Sequence, residues 1–162
     1  MDDIFIISTG GTFNKIYNKI SGKLEVDSSN KALEKIEKKW FTTLNYTSLI
    51  NKDSLDFTNK DREELANYIK NLDYSKIIVI HGTDTIDLSA KEVASLNLNK
   101  AVVFTGAMVP FSISKLEATA NFALAYGYLL NATSGVYIAL NGVVDRFDRV
   151  IKNREKGKFE RK

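Results

Sequence analysis

The sequence predicts a three-layer α/β/α domain of Rossmann-like type around a mostly parallel sheet of about five strands. Short β-branched runs alternate with helical patterns, and the runs are apolar on both faces rather than at alternate residues. Strands of that kind belong to a parallel sheet that helices cover on both sides. The clearest runs are residues 4–7, 77–80, 101–104 and 136–140, and a weaker strand is expected at 45–50.

The helices that cover this sheet are indicated by apolar residues at helical spacing. One face carries Leu33, Ile36 and Trp40. A second carries Leu65, Tyr68, Ile69 and Leu72, and a third helix is expected at about 86–96. Since strands and helices alternate in order, the connections are expected to be right-handed crossovers.

Two capping-box patterns mark helix starts, Thr58-x-x-Asp61 and Ser114-x-x-Glu117. In such a box the hydroxyl accepts a hydrogen bond from a backbone amide of the first turn, and the acid three residues later accepts one from the backbone amide of the cap residue. We therefore expect helices to begin near residues 58 and 114.

Two segments depart from the alternating pattern. Residues 13–28 are polar with few apolar anchors, which predicts a mobile loop or a hairpin that could act as a lid. Residues 153–162 are basic and polar enough for a partly disordered tail. The chain is therefore divided into a domain at 1–152 and a polar basic tail at 153–162.

Composition excludes several classes of protein. The 162 residues suit a single domain. The net charge is +3, with much of the excess in residues 152–162, and lysines alternate with acids over the helices, so a nucleic-acid partner is not expected. The absence of cysteine excludes disulfides, zinc-thiolate sites and a thiol nucleophile. No apolar run is long enough to cross a membrane, and the first residues lack an export signal, so we expect a cytoplasmic protein.

Polar motifs follow three of the predicted strands. They are Ser8-Thr9-Gly10-Gly11-Thr12, His81-Gly82-Thr83-Asp84-Thr85 and Thr105-Gly106-Ala107-Met108. Ligands of parallel sheets bind at the carboxyl ends of the strands, where glycines let the backbone come close and threonines offer hydroxyls. The first loop lacks the glycines of a dinucleotide fingerprint and the Gly-Lys pair of a P-loop, so phosphate binding is disfavoured.

These motifs occur in a fixed order together with Asp53-Ser54-Leu55-Asp56 and with Val109-Pro110 after the third motif. In that order and separation the chain resembles the N-terminal domain of the bacterial-type, threonine-nucleophile L-asparaginase and glutaminase family. The resemblance extends from residue 4 to about residue 152. It implies a free-standing domain without the smaller C-terminal domain of that family.

The resemblance implies a catalytic role for five residues. Thr12 resembles the nucleophile, and Tyr17 on the following segment resembles the residue that orients or activates it. Thr83 and Asp84 resemble the family's second threonine and acid, and Lys152 resembles the lysine beside them. A threonine hydroxyl needs a base to take its proton, so the set is chemically coherent. It requires neither a metal nor another cofactor.

The resemblance also implies how a substrate is bound. Ser54 resembles the serine that binds the substrate α-carboxylate, and Asp84 resembles the acid that holds the ammonium. Gly11 lies on the nucleophile loop beside the substrate, and the amides of Thr83 and Ala107 lie near the oxyanion site. The implied activity is hydrolysis of the side-chain amide of asparagine, or of a related small amide, to the acid and ammonia.

Each of these residues also has a structural interpretation. The alternatives are a loop cap for Thr12, core shielding for Tyr17, a turn cap with Asp56 for Ser54, a helix cap for Thr83 and Asp84, and the first charge of a solvated tail for Lys152. The only histidine, His81, follows an apolar strand without a serine or cysteine elbow, so we interpret it as a buried sheet residue rather than a base.

Two further hypotheses concern function and assembly. The protein could be a binding or regulatory module for an aspartate-like ligand that lacks turnover, or a purely structural remnant. Self-association as a homo-oligomer is expected if the helix that carries Phe122, Tyr126 and Leu130 keeps an apolar outer face.

Overall fold

A computed structural model of the chain describes residues 3–162. Its strands are β1 (Ile4–Gly10), β2 (Lys15–Asn18), β3 (Lys23–Val26), β4 (Asn45–Lys52), β5 (Lys76–Ile80), β6 (Ala101–Thr105), β7 (Gly135–Leu140), β8 (Val143–Arg146), β9 (Val150–Asn153) and β10 (Lys158–Arg161). Its α-helices are α1 (Lys31–Trp40), α2 (Asn59–Asn71), α3 (Ile86–Ser95) and α4 (Lys115–Asn131).

The central sheet has six strands in the order β4-β1-β5-β6-β7-β8. The first five run parallel, and β8 returns antiparallel to β7. The three-layer fold class is confirmed, as is the weaker strand at 45–50. The sixth strand was not predicted, because β8 is short and half-exposed and carries no apolar run.

Helices cover both faces of the sheet and create two cores. On one face α1 and α4 pack against side chains such as Ile78 and Ile80 of β5. On the other face α2 and α3 pack against the intervening residues Ile77 and Val79. Successive strand residues point to opposite faces, so a strand between two helical layers must be apolar throughout.

The two predicted capping boxes have different outcomes. The Thr58 box is formed: its hydroxyl accepts from the Asp61 amide at 3.2 Å, and the Asp61 carboxylate accepts from the Thr58 amide at 2.7 Å. The Ser114 box was a wrong prediction. Helix α4 does begin after Ser114, but that hydroxyl makes no cap bond, and Glu117 instead accepts from the backbone amides of Met108 and Val109.

The segment 13–28 contains the hairpin β2–β3, which was one of its two predicted forms. Its base is fixed, because Ser112 donates its hydroxyl to the Lys15 carbonyl at 2.7 Å and the Asp27 amide donates to Asn14 at 2.9 Å. Its tip projects into solvent, with Ile20 97% exposed. A role as a mobile lid stays a prediction.

The segment 153–162 is ordered rather than disordered, because it contains the end of β9 and the whole of β10. Strand β9 spans the predicted boundary between residues 152 and 153, and β10 pairs with it antiparallel. Phe159 is buried in the core formed with α2 and α3, and this one aromatic residue fastens an otherwise polar segment.

The prediction of an apolar outer face on α4 was also partly wrong. Phe122 is fully buried and contacts Trp40, so it belongs to the core rather than to an apolar surface. Leu130 remains exposed at 43%. Within residues 3–162, no helix is long and apolar enough to cross a bilayer.

The contrast between the two helix starts predicts a difference in stability. Thr58→Ala should lower the free energy of unfolding by about 1 kcal/mol, because it removes a formed cap from α2. Ser114→Ala is the matched control, since the Ser114 hydroxyl makes no cap bond. Urea denaturation of both variants would measure the difference, and equal losses would contradict it.

Candidate functional site

The carboxyl ends of the neighbouring strands β1 and β5 bring two loops into contact. Gly11 has φ of 73°, and a Cβ on it would lie 2.5 Å from the Gly82 Cα, so the two backbones touch. Only glycine combines this left-handed conformation with so close an approach. Thr12 follows Gly11 and Thr83 follows Gly82, so the two threonines belong to adjoining loops.

Ser54 is held at the same edge. A Cβ on Gly82 would lie 2.6 Å from the Ser54 Oγ, which also accepts a hydrogen bond from the Asp84 amide at 3.2 Å. The turn that begins at Ser54 is capped by Asp53, whose carboxylate accepts from the Leu55 amide. The Ser54 hydroxyl therefore faces the Asp84 loop rather than capping its own turn.

Lys152 completes a cluster with the second threonine and the acid. Its Nζ donates to the Thr83 Oγ1 at 2.8 Å and to the Asp84 Oδ1 at 2.9 Å, across nearly seventy residues of sequence. Its side chain is 14% exposed, so it does not begin a solvated tail. The hydrogen bond from Lys152 is the main cause that lowers the pKa of Asp84.

A second cation, Arg154, also binds Asp84. Its Nη1 donates to the Asp84 Oδ1 at 2.8 Å, and its Nη2 donates to the Asp84 backbone carbonyl at 3.2 Å. No sequence signal indicates this residue, because one arginine within a basic segment belongs to no motif. Only the pairing of β9 with β10 brings its guanidinium to the edge of the sheet.

Thr12 and Tyr17 are less closely joined to this cluster. Thr12 begins a short 3-10 helix, Thr12–Asn14, and is half-buried. Tyr17 is 62% exposed on β2. Within residues 3–162 neither hydroxyl hydrogen-bonds to another residue. The structure therefore joins Ser54, Thr83, Asp84 and Lys152 directly and leaves Tyr17 apart.

Side chains of α4 hold the backbone of the loop that follows β6. Both carboxylate oxygens of Glu117 accept from backbone amides, those of Met108 and Val109, at 2.9 Å each. Asn121 donates its side-chain amide to the Gly106 carbonyl at 3.0 Å. The enclosed residue, Ala107, is 1% exposed. Sequence reasoning missed this support because it assigned Glu117 to a helix cap.

His81 lies in the core beneath the site. Its Nε2 lies 2.8 Å from the Ser89 hydroxyl and its Nδ1 lies 2.8 Å from the Gly82 carbonyl, while its ring is adjacent to Phe57 and Phe104. Burial lowers its pKa to about 4. Because both nitrogens are occupied inside the protein, His81 is a structural residue, as expected from the sequence.

An open cleft of about 640 Å³ adjoins the cluster. Thr83, Asp84, Lys152 and Arg154 form one of its walls, and it continues between α3 and the β9–β10 strand pair. Thr12 and Ser54 do not line it. Asp84 and Lys152 therefore separate this cleft from the loops of Thr12 and Ser54.

Comparison with known proteins shows the family of the chain. The family model of the N-terminal asparaginase domain matches residues 3–158. The chain belongs to the asparaginase family. L-asparaginase 1 of Escherichia coli strain K12 is 30% identical over 161 residues, which cover 93% of this chain. This asparaginase-family chain spans only 44% of the length of that relative.

Solved structures of asparaginases share its fold. The thermostable L-asparaginase from Thermococcus kodakarensis superposes with a TM-score of 0.86 at 22% identity, covering 98% of this chain and 51% of that protein. The probable cytoplasmic L-asparaginase from Campylobacter jejuni gives 0.82 at 22% identity, with 99% and 52% covered. L-asparaginase I from Vibrio cholerae gives 0.81 at 23% identity, with 99% and 51% covered.

The buried histidine predicts how the stability of this asparaginase domain depends on pH. In the unfolded chain His81 takes up a proton below its ordinary pKa of 6.5, whereas in the folded domain it does so only near pH 4. Stability is therefore lost as the pH falls between these values, by up to about 3 kcal/mol. Urea unfolding at a series of pH values would measure this loss.

The control for this prediction is His81→Gln, which cannot titrate. Carboxylates contribute equally to both proteins, so the difference between their unfolding free energies isolates the histidine. We expect the difference to narrow from pH 7 to pH 4.5. Parallel curves would show that His81 does not carry the effect.

Proposed function

We propose that this domain hydrolyses the side-chain amide of asparagine or a related small amide, with Thr12 as the nucleophile. The observation that carries the proposal is the cluster in which Lys152 bonds both Thr83 and Asp84 at the sheet edge. The cluster adjoins the loop of Thr12 through the contact between Gly11 and Gly82. Family membership supports the same chemistry, since the named relatives are L-asparaginases.

The proposed reaction has two stages. The Thr12 hydroxyl attacks the amide carbon, and its proton passes to the departing nitrogen through the hydroxyl of Tyr17, which orients Thr12 when the β2–β3 hairpin covers the site. The amides of Thr83 and Ala107 stabilise the oxyanion, and the nitrogen leaves as ammonia after protonation. Water then releases the acid from Thr12, so that amide and water become acid and ammonia.

The remaining residues bind the substrate and the proton. Ser54 offers its hydroxyl to the substrate carboxylate, and Asp84 offers the carboxylate that would hold an ammonium. Lys152 keeps the Thr83 hydroxyl oriented and is the proposed proton acceptor behind it. The Glu117 contacts keep the loop of Ala107 in place, which matters because oxyanion donors act only when preorganised.

A binding or regulatory module is the second candidate. Two observations favour it: Tyr17 lies exposed without a hydrogen bond to Thr12, and Asp84 is already paired with two cations. Such a module would bind an aspartate-like ligand without releasing ammonia. Self-association and a cytoplasmic location also remain proposals. Ile113, just before α4, and Leu116, in its first turn, are exposed and would contribute to the contact surface of a homo-oligomer.

Ammonia release by variants of Thr12 tests the proposed nucleophile. Thr12→Ala should reduce turnover of asparagine or a better small amide by at least about a thousandfold, because it removes the attacking oxygen. Thr12→Ser is the matched control, since it retains a hydroxyl and should keep a measurable part of the rate. Binding of L-aspartate should persist in both variants.

The outcomes separate the two candidate functions. Turnover that depends on the Thr12 hydroxyl supports the hydrolase. Ligand binding without ammonia release from any small amide supports the binding module. Undiminished ammonia release by Thr12→Ala would exclude Thr12 as the nucleophile.

A further inference from the structure

The Thr83 hydroxyl contacts a sulfur atom as well as Lys152. Its oxygen accepts a hydrogen bond from the Lys152 Nζ at 2.8 Å, and its own hydrogen is donated to the Met108 Sδ at 3.3 Å. Because a hydroxyl has one hydrogen, the sulfur takes the only donation that it can make. Thr83 is 6% exposed, so little water reaches this hydroxyl. Within residues 3–162, Met108 is the only acceptor of its hydrogen.

Met108 is itself held on two sides. Its backbone amide donates to the Glu117 carboxylate at 2.9 Å, and its side chain packs against the core that α2 and α3 cover. The sulfur therefore approaches Thr83 from a fixed position. Its bond to Thr83 joins the loop after β6 to the loop after β5. These loops carry the amides of Ala107 and Thr83, the two that are proposed to stabilise the oxyanion.

A thioether suits this position because its sulfur is a weak hydrogen-bond acceptor. With the hydrogen directed to the sulfur, the lone pairs of the Thr83 oxygen face Lys152, as the observed bond requires. A strong acceptor would keep the hydroxyl from turning when a ligand arrives. An apolar side chain would leave a buried donor without a partner, which costs free energy and favours rotation of the threonine away from the lysine. Sulfur thus orients the hydroxyl without immobilising it.

We propose that Met108 is a positioning residue of the site, whose sulfur orients the Thr83 hydroxyl and, through it, Lys152. The sulfur forms no covalent bond in this role and acts only through the hydroxyl. The inference rests on the proposed amide hydrolysis for its effect on turnover. The contact between sulfur and hydroxyl can be observed without turnover.

Replacement of methionine by isosteres tests the sulfur without changing the shape of the side chain. The sequence contains two methionines, Met1 and Met108, so replacement throughout the protein changes one residue within the described part of the chain. Norleucine has a methylene in place of the sulfur and accepts no hydrogen bond. Selenomethionine keeps a soft, weak acceptor and is the matched control.

The norleucine protein should lose about fivefold in kcat for asparagine or a better small amide, the change expected from one hydrogen bond. Its KM should stay nearly unchanged, because Ser54 and Asp84 are the residues proposed to bind the substrate. The selenomethionine protein should keep the kcat of the unsubstituted protein.

The selenium atom of the control protein also reports the contact directly, through its NMR resonance. Thr83→Val removes the hydroxyl and keeps the shape of the side chain, whereas Thr83→Ser keeps a hydroxyl. The resonance of the Met108 selenium, assigned by its loss in Met108→Leu, should move in Thr83→Val and stay close to its position in Thr83→Ser.

The two measurements distinguish failure of this inference from failure of the proposed function. Equal kcat in the norleucine and selenomethionine proteins, or an equal loss in both, would overturn the positioning role of the sulfur. Absence of ammonia release from the unsubstituted protein would reject the hydrolase instead. The selenium resonance would then decide the contact: movement in Thr83→Val would support it, and an unmoved resonance would overturn it.

Discussion

The hydrogen bonds from Lys152 to Thr83 and Asp84 are the interaction on which the candidate site depends. They join the last strand pair of the chain to the loop after β5, so no local segment contains the site by itself. The burial of Phe159 fastens that strand pair to the core and thereby fixes the lysine. Packing in one core thus determines the geometry of a polar cluster at the sheet edge.

Close backbone approach is the second requirement. The contact between Gly11 and Gly82 brings the loop of Thr12 beside that of Thr83, and Gly82 lies equally close to Ser54. A side chain at either glycine would force these loops apart. The Ser54 hydroxyl then binds the Asp84 amide, so the hydroxyls and the acid are positioned by backbone geometry rather than by long flexible side chains.

Much of the fold was predictable because apolar runs and helical spacing are local signals of burial. The loops of the site were predictable as well, since parallel strands place their carboxyl ends at one edge. The partners of Glu117, Phe122 and Arg154 were not. A glutamate three residues after a serine does not reveal whether it faces its own helix start or a neighbouring loop, and an apolar helix does not reveal which face is covered. Likewise, the burial of Phe159 was not predictable, because one aromatic residue in a polar segment forms no apolar periodic pattern.

A crystal structure with L-aspartate bound would test the central claim most directly, because L-aspartate is the product of the proposed hydrolysis of asparagine and carries two carboxylates. One carboxylate should lie between Thr12 and Thr83 with Lys152 still bonded to the Thr83 hydroxyl. The other should contact Ser54. L-Aspartate bound only in the cleft between α3 and the β9–β10 pair, away from Thr12, would contradict the assignment of the site.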